Sequence, residues 1–463
     1  MNYDLVVIGA GPGGYVAAIR AAQLGMKTAI VEKDACGGTC LNYGCIPTKA
    51  LYKNAEVVDE IMHADEFGIS VKGYDIDMKK VQARKAKVVK TLSGGVEFLL
   101  KANKVELVKG AAKILAPGKV EVNGKVLETK NILIASGSKA SKPPIKGIDN
   151  PGVLTSKEAL EMDHVPGKIV IIGGGVIGIE FAGIYKAFGA EVTIVEFMPK
   201  IIPNMDKEIT DRLQKLLEKK GIQFMVGTKV EEISKSGSGL SVTVDKDGTK
   251  SSLPCDEVLV STGRELDIEG LNLDGLGIAY DRKGVKVDEN FQTNVPGIYA
   301  IGDVIGGVML AHVASDEGKV CVERMAGEDA RVDYDLVPSA VFTFPEVASV
   351  GMSEEQAREK GLEYEVGKFQ FSGNGKALTM NNAEGMIKVI VSKDKQRILG
   401  VHIVGPNASD LLTEAALAMR GEFTVEEVAN TMHGHPTLSE AFEEALTLTL
   451  GRGIHSAPAK KKK

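Results

Sequence analysis

The feature that most restricts this chain is a glycine pattern that occurs twice at one spacing. Asp4-Leu-Val-Val-Ile-Gly9-Ala-Gly11-Pro-Gly-Gly14 is an apolar run entering a Gly-x-Gly-x-x-Gly turn. An alanine-rich helical pattern follows, then a second strand, Lys27 to Val31, that stops at Glu32. Lys168-Ile-Val-Ile-Ile-Gly173-Gly-Gly175-Val-Ile-Gly178 repeats the arrangement, with a helix to about Phe188 and a strand from Glu191 to Val195 ending at Glu196. Gly9 to Glu32 and Gly173 to Glu196 each span 23 residues. One such motif is weak in a chain with 53 glycines. Two, each set between strand and helix with an acid in register, make the full dinucleotide fingerprint. The first glycine makes the tight turn, the second admits the pyrophosphate, and the third lets helix and strand pack closely. The helix N-terminus presents free N–H groups to the phosphates, and the acid accepts from the ribose hydroxyls. At the second site Glu196 repels a 2′-phosphate and Phe197 brings no cation, so NAD is expected over NADP. Arg264, after a strand at Glu257–Val260, is the cation that could reverse that preference, although it lies far along the chain from Glu196.

The 463 residues allow about three domains of ordinary size. A net charge of −6 argues against nucleic acid as the main partner. No run of about 20 apolar residues is long enough to span a bilayer. Met1-Asn2-Tyr3-Asp4 runs straight into a strand and leaves no room for a signal peptide, so a reducing cytoplasm is expected. Cys36, Cys40 and Cys45 fall within ten residues, whereas Cys255 and Cys321 stand alone. In a reducing compartment a close pair reads as catalytic or metal-binding. A metal site would bring a second ligand cluster, and neither lone cysteine does, so no metal is expected.

Gly37-Gly38-Thr39-Cys40-Leu41-Asn42-Tyr43-Gly44-Cys45-Ile46-Pro47-Thr48-Lys49 follows the first fingerprint. Residues five apart in a regular helix have Cα atoms about 8.7 Å apart. A disulfide needs less than about 6.8 Å. Cys40 and Cys45 can therefore bridge only if the helix is distorted between them, and Asn42 and Gly44 permit that. A strained bridge is easily reduced, which suits redox work rather than stapling.

This segment resembles the redox signature of the pyridine nucleotide–disulfide oxidoreductases, and the resemblance runs from residue 3 to about 455. Within the family, His433-Gly-His435-Pro-Thr-Leu-Ser-Glu440-Ala, Met309-Leu-Ala-His312 and Gly174-Gly-Val-Ile-Gly-Ile-Glu180 resemble the branch that oxidises dihydrolipoamide. The implied fold class is α/β, with two Rossmann-like dinucleotide-binding domains and an α+β C-terminal domain. The implied boundaries are an FAD-binding domain at 1–148, an NAD-binding domain at 149–265, a central segment completing the FAD site at 266–336, and an interface domain at 337–455. A disordered tail is expected at 456–463.

The resemblance also implies roles. Gly9, Gly11, Gly14 and Glu32 would hold FAD, with Lys33, Thr39, Ala112, Ser136, Gly137, Asp303, Met309, Leu310, Ala311 and His312 completing the site. Gly173, Gly175, Gly178, Glu196, Val230 and Gly263 would hold NAD. Cys45 would face the flavin and Cys40 the substrate. Lys49 and Glu180 would pair beside the flavin ring, where a cation stabilises an anionic reduced flavin. His435 would be the base that makes a substrate thiolate, oriented by Glu440. Thr437-x-x-Glu440 also reads as a helix capping box, and the two readings stand side by side. His433 reads as structural. Family members are homodimers whose base serves the partner's cysteines, and the implied partner is a lipoyl domain or the glycine cleavage carrier protein. A glutathione-type reductase would carry basic residues near Glu196, and a mercuric reductase a C-terminal cysteine pair; neither is present. A non-enzymatic flavoprotein scaffold would need none of Cys40, Cys45, Lys49, His435 and Glu440.

Overall fold

The computed structural model describes residues 2–457, so the expected tail lies outside the described residues from 458 onward. The sequence repeat becomes a repeat of topology. Strand β1 (Tyr3–Ile8) leads into helix α1 (Pro12–Gln23), and β2 (Thr28–Glu32) returns parallel to β1. Across the sheet the order is Glu106–Lys109, β2, β1, Lys125–Ile134 and Ile298–Ala300, all parallel. The second sheet has the matching order Gln223–Val226, Glu191–Glu196, Lys168–Ile172, Glu257–Val260 and Val153–Leu154, again parallel. Each unit also carries a three-stranded antiparallel ribbon, ending in Lys125–Ile134 in the first and formed by Lys229–Ser236, Gly239–Lys246 and Thr249–Cys255 in the second. The duplication thus extends well past the glycine turns that announce it.

The continuous apolar runs follow from burial on both faces of the sheets. Leu5 and Val7 of β1 pack with Ala17 and Ala21 of α1, while Val6 and Ile8 pack on the other side with Ile114 and Val120. The units are joined by a short antiparallel ribbon in which Ser138–Ala140 pairs with Arg264–Leu266. Ile298–Ala300 then returns to the first sheet, and helix Ala311–Met325 packs against α1.

The C-terminal unit is a five-stranded antiparallel sheet in the order Ser339–Val341, Glu346–Gly351, Ile398–Gly405, Met386–Ser392 and Tyr364–Gln370. Helices Ala408–Arg420 and Glu440–Thr449 cover it. A buried ion cluster ties this sheet to the second unit. Lys388 Nζ reaches Asp206 at 3.0 Å and Glu354 at 2.7 Å, with the Lys388 and Asp206 side chains 1% and 0% exposed. Among the described residues no helix is long and apolar enough to cross a membrane.

Candidate active site

The glycines of each fingerprint divide the same three tasks. Gly9 has φ +103°, and a Cβ there would lie 2.4 Å from the Ala135 carbonyl oxygen. A Cβ on Gly14 would lie 1.8 Å from Gly9 O, so α1 can approach β1 only without one. A Cβ on Gly11 would meet only the Gly38 Cα, at 3.9 Å. The second turn mirrors this, with Gly173 at φ +113°, a Gly178 Cβ 2.1 Å from Gly173 O, and nothing within 4 Å of a Gly175 Cβ. Gly9, Gly11, Gly173 and Gly175 line one large cleft, while Gly14 and Gly178 sit behind the turns. The two acids are also alike. Glu32 accepts from the Ala10 and Asp34 amides at 2.7 and 2.8 Å, and Glu196 from the Gly174 and Met198 amides at 2.5 and 2.6 Å. Each carboxylate thus braces its own glycine turn, a task the spacing did not reveal.

The cleft has a volume of about 2110 Å³ and runs from one turn to the other. Ordinary small-molecule pockets hold ~300–1,000 Å³, so this one has room for two dinucleotides end to end. Its chemistry fits FAD and NAD. Gly11 and Gly175 leave cradles that a methyl group would fill, and Ser136 Oγ is buried at the wall with no hydrogen-bond partner.

The cysteines sit at a break between two helices. α2 (Gly38–Tyr43) ends and α3 (Cys45–Met62) begins at Gly44, whose φ −143°, ψ −114° is not helical. Asn42 Nδ2 donates to the carbonyls of Cys36 and Gly38, at 3.1 and 2.9 Å, which fixes the short helix before the break. A Cβ on Gly44 would lie 3.0 Å from Thr39 O. Both cysteines are free thiols that line the cleft, and they share a hydrogen bond. That bond, received from Cys40, lowers the Cys45 pKa to about 7; Lys49 adds to the effect and burial opposes it. Cys45 also stands at the first position of α3, where helix N–H groups favour a thiolate. The same bond pushes Cys40 well up, with burial adding to it. The pair is therefore asymmetric, with Cys45 as the thiolate and Cys40 as the proton donor.

Lys49, one turn further along α3, meets Glu180 at 2.8 Å to both carboxylate oxygens. Glu180 is 4% exposed, so it is not a solvated helix position. The C-terminal unit supplies the third member of this junction. The Phe342 amide donates to Glu180 Oε1 at 3.0 Å, and its ring lies 4.4 Å below Lys49 Nζ. Nothing in the sequence links Phe342 to residues 49 and 180, and only the packing of three units brings them together.

Lys33, Thr39, Ala112, Gly137, Met309, Leu310, Ala311, His312, Val230 and Gly263 also line the cleft. Lys33 pairs with Asp267 at 2.8 Å, and His312 Nε2 lies 2.9 Å from Pro338 O. Asp303 accepts from Ser138 Oγ, a residue sequence reasoning missed. Arg264 donates to Ser138 Oγ and to Ser138 O, both at 2.6 Å, and lies 3.5 Å from Asp303. Its guanidinium is thus committed at the joining ribbon, and the NAD preference read from Glu196 keeps its basis.

His435 and Glu440 are brought together, with Nδ1 to Oε1 at 2.8 Å, but neither lines the cleft of the same chain. The Glu440 carboxyl is held low against its burial by the Thr437 amide and by His435. Only half of a capping box forms. The Thr437 amide donates to Glu440 Oε2 at 2.7 Å, whereas Thr437 Oγ1 turns to Gly434 O and Ser439, and the helix begins at Glu440. One carboxylate orients the imidazole and braces the loop at once.

Comparison with known proteins agrees along the chain. The family model described as pyridine nucleotide-disulphide oxidoreductase matches residues 3–318, and its dimerisation domain matches 337–446. The chain is 46% identical to the mitochondrial dihydrolipoyl dehydrogenase of Pisum sativum, covering 98% of this chain and 92% of the relative. It is 44% identical to the dihydrolipoyl dehydrogenase of Bacillus subtilis, covering 98% and 99%. Among solved structures, the HOCl-induced flavoprotein disulfide reductase of Escherichia coli superposes with a TM-score of 0.87 at 29% identity, covering 96% of this chain and all of that one.

Proposed function

This chain belongs to the pyridine nucleotide-disulphide oxidoreductase family, and from that membership we propose how its own residues carry the reaction. It is an FAD- and NAD-dependent enzyme that oxidises dihydrolipoamide and reduces NAD+. FAD would be held at the turn of Gly9 and Gly11 beside Glu32 and Ser136, and NAD at the turn of Gly173 and Gly175 beside Glu196, where together they would supply two-electron transfer from the cysteine pair. His435 takes a proton from one substrate thiol, and Glu440 stabilises the imidazolium. The substrate thiolate attacks the Cys40 sulfur of the oxidised pair; the Cys40–Cys45 bond breaks, and Cys45 leaves as a thiolate. The second substrate thiol then closes the lipoamide disulfide and expels Cys40; its proton passes to Cys40, and the first proton stays on the His435 imidazolium until it is released to solvent. The enzyme has gained two electrons and the substrate has lost two. Lys49, held by Glu180, keeps the Cys45 thiolate charged.

The observation that carries this reading is the asymmetric thiol pair at a helix break, in a cleft that spans two dinucleotide turns. The dimerisation domain, and a base that lies off its own chain's cleft, support a homodimer with shared sites. The natural substrate would then be a lipoyl group on an acyltransferase or on the glycine cleavage carrier protein, met in the cytoplasm. Cys45→Ser tests the scheme. It should abolish dihydrolipoamide-dependent NAD+ reduction while FAD stays bound, and a normal rate would sink the mechanism.

A further inference from the structure

Within one chain, little protein packs over the loop that carries His435. Of residues 431–436 only His433 is not exposed, while the His435 side chain is 77% exposed. The His433 side chain is 4% exposed and meets oxygen acceptors at both ring nitrogens. Nε2 lies 2.7 Å from Glu414 Oε1, on helix Ala408–Arg420. Nδ1 lies 2.8 Å from the Thr431 carbonyl and 3.3 Å from Glu443 Oε2, on helix Glu440–Thr449. A neutral imidazole has one N–H and one lone pair, so it would aim that lone pair at one of these oxygens. Only the imidazolium satisfies both sides. We propose that His433, as an imidazolium shared between Glu414, Glu443 and the Thr431 carbonyl, is the positioning residue that fixes the loop bearing His435, and that losing its proton slackens that loop.

The charge state agrees with the geometry. Its hydrogen bond to Glu414 raises His433 above the ordinary histidine value, against the effect of burial, and Glu443 adds to the rise. A raised value stabilises the folded loop fully below the ordinary histidine range, and that stabilisation fades as pH climbs through the raised value. His433 does not line its own chain's cleft, so its part in the reaction runs through His435. The proposal rests on the role given to His435 above.

The test uses the FAD-loaded dimer of full-length chains and two variants, His433→Gln and Glu414→Gln. Glutamine keeps a donor but cannot bridge two acids. Losing a hydrogen bond to a charged group is worth roughly tenfold in an opening equilibrium, so amide exchange across residues 430–439 should quicken about that much in His433→Gln. The kcat/KM for dihydrolipoamide should fall to a similar extent. Reduction of ferricyanide by NADH, which needs no base, should stay at the normal rate. In Glu414→Gln the alkaline limb of the dithiol pH profile should move to lower pH. Unchanged loop exchange, or an equal fall in both activities, would overturn the proposal. If His433→Gln does not fold, an unmoved alkaline limb in Glu414→Gln overturns it instead. Loop exchange reads the clamp and Cys45→Ser reads the reaction, so the two failures are told apart.

Discussion

At the scale of single residues, the site works by giving like groups unlike surroundings. Cys36, Cys40 and Cys45 lie within ten residues, yet each has a different acidity. Burial pushes Cys36 up to about 11, and its side chain packs in the core with Val96 and Leu100. It stays a thiol at neutral pH, a poor nucleophile for disulfide exchange. Cys45 falls to about 7, first through the hydrogen bond from Cys40 and then through Lys49. An opposite charge in contact moves a pKa by roughly one to three units. Lys49→Met should therefore shift thiolate formation at Cys45 to higher pH by an amount in that range. The long-wavelength thiolate-to-flavin absorbance of the two-electron-reduced enzyme, titrated against pH, reads the midpoint. An unmoved midpoint would remove Lys49 from the argument.

At the scale of elements, the strand–turn–helix unit is the part that can be varied cleanly. The third and second glycines of a fingerprint differ in what a methyl group would meet. In Gly178→Ala the new Cβ falls 2.1 Å from Gly173 O, inside backbone contact. Overpacking of that kind costs about 1–3 kcal/mol or more, so a clear drop in Tm is expected. In Gly175→Ala the new Cβ meets no protein atom within 4 Å. That variant should keep its Tm and its bound FAD, while its KM for NAD+ rises about tenfold as the methyl takes up pyrophosphate space. Equal Tm losses in the two variants would contradict the division of labour. The same local logic made the Cys40–Cys45 helix break legible beforehand, because a regular helix cannot bring positions five apart within bonding distance.

At the scale of the whole molecule, the question is where the base meets the cysteines. Within one chain His435 and Glu440 stay off the cleft. If the site is shared across a twofold axis, chains carrying Cys45→Ser and chains carrying His435→Gln are each inactive alone, but a mixed dimer holds one intact site. Unfolding the two together and refolding them should restore dihydrolipoamide activity, and no recovery would place the whole site in one chain. The sequence by itself determined the two nucleotide turns, their acids and the redox pair, because each depends on backbone geometry over a few tens of residues. Spacing alone left Glu440 between a helix cap and a partner for His435; resemblance to the family favoured the pair, and the fold places the two side chains 2.8 Å apart. The sequence could not supply Phe342 beneath Lys49, Ser138 against Asp303, or the commitment of Arg264 to the joining ribbon. Those contacts join residues more than a hundred positions apart, and no local pattern encodes them. Only the packing of three separately built units decides which side chains face each other across their seams.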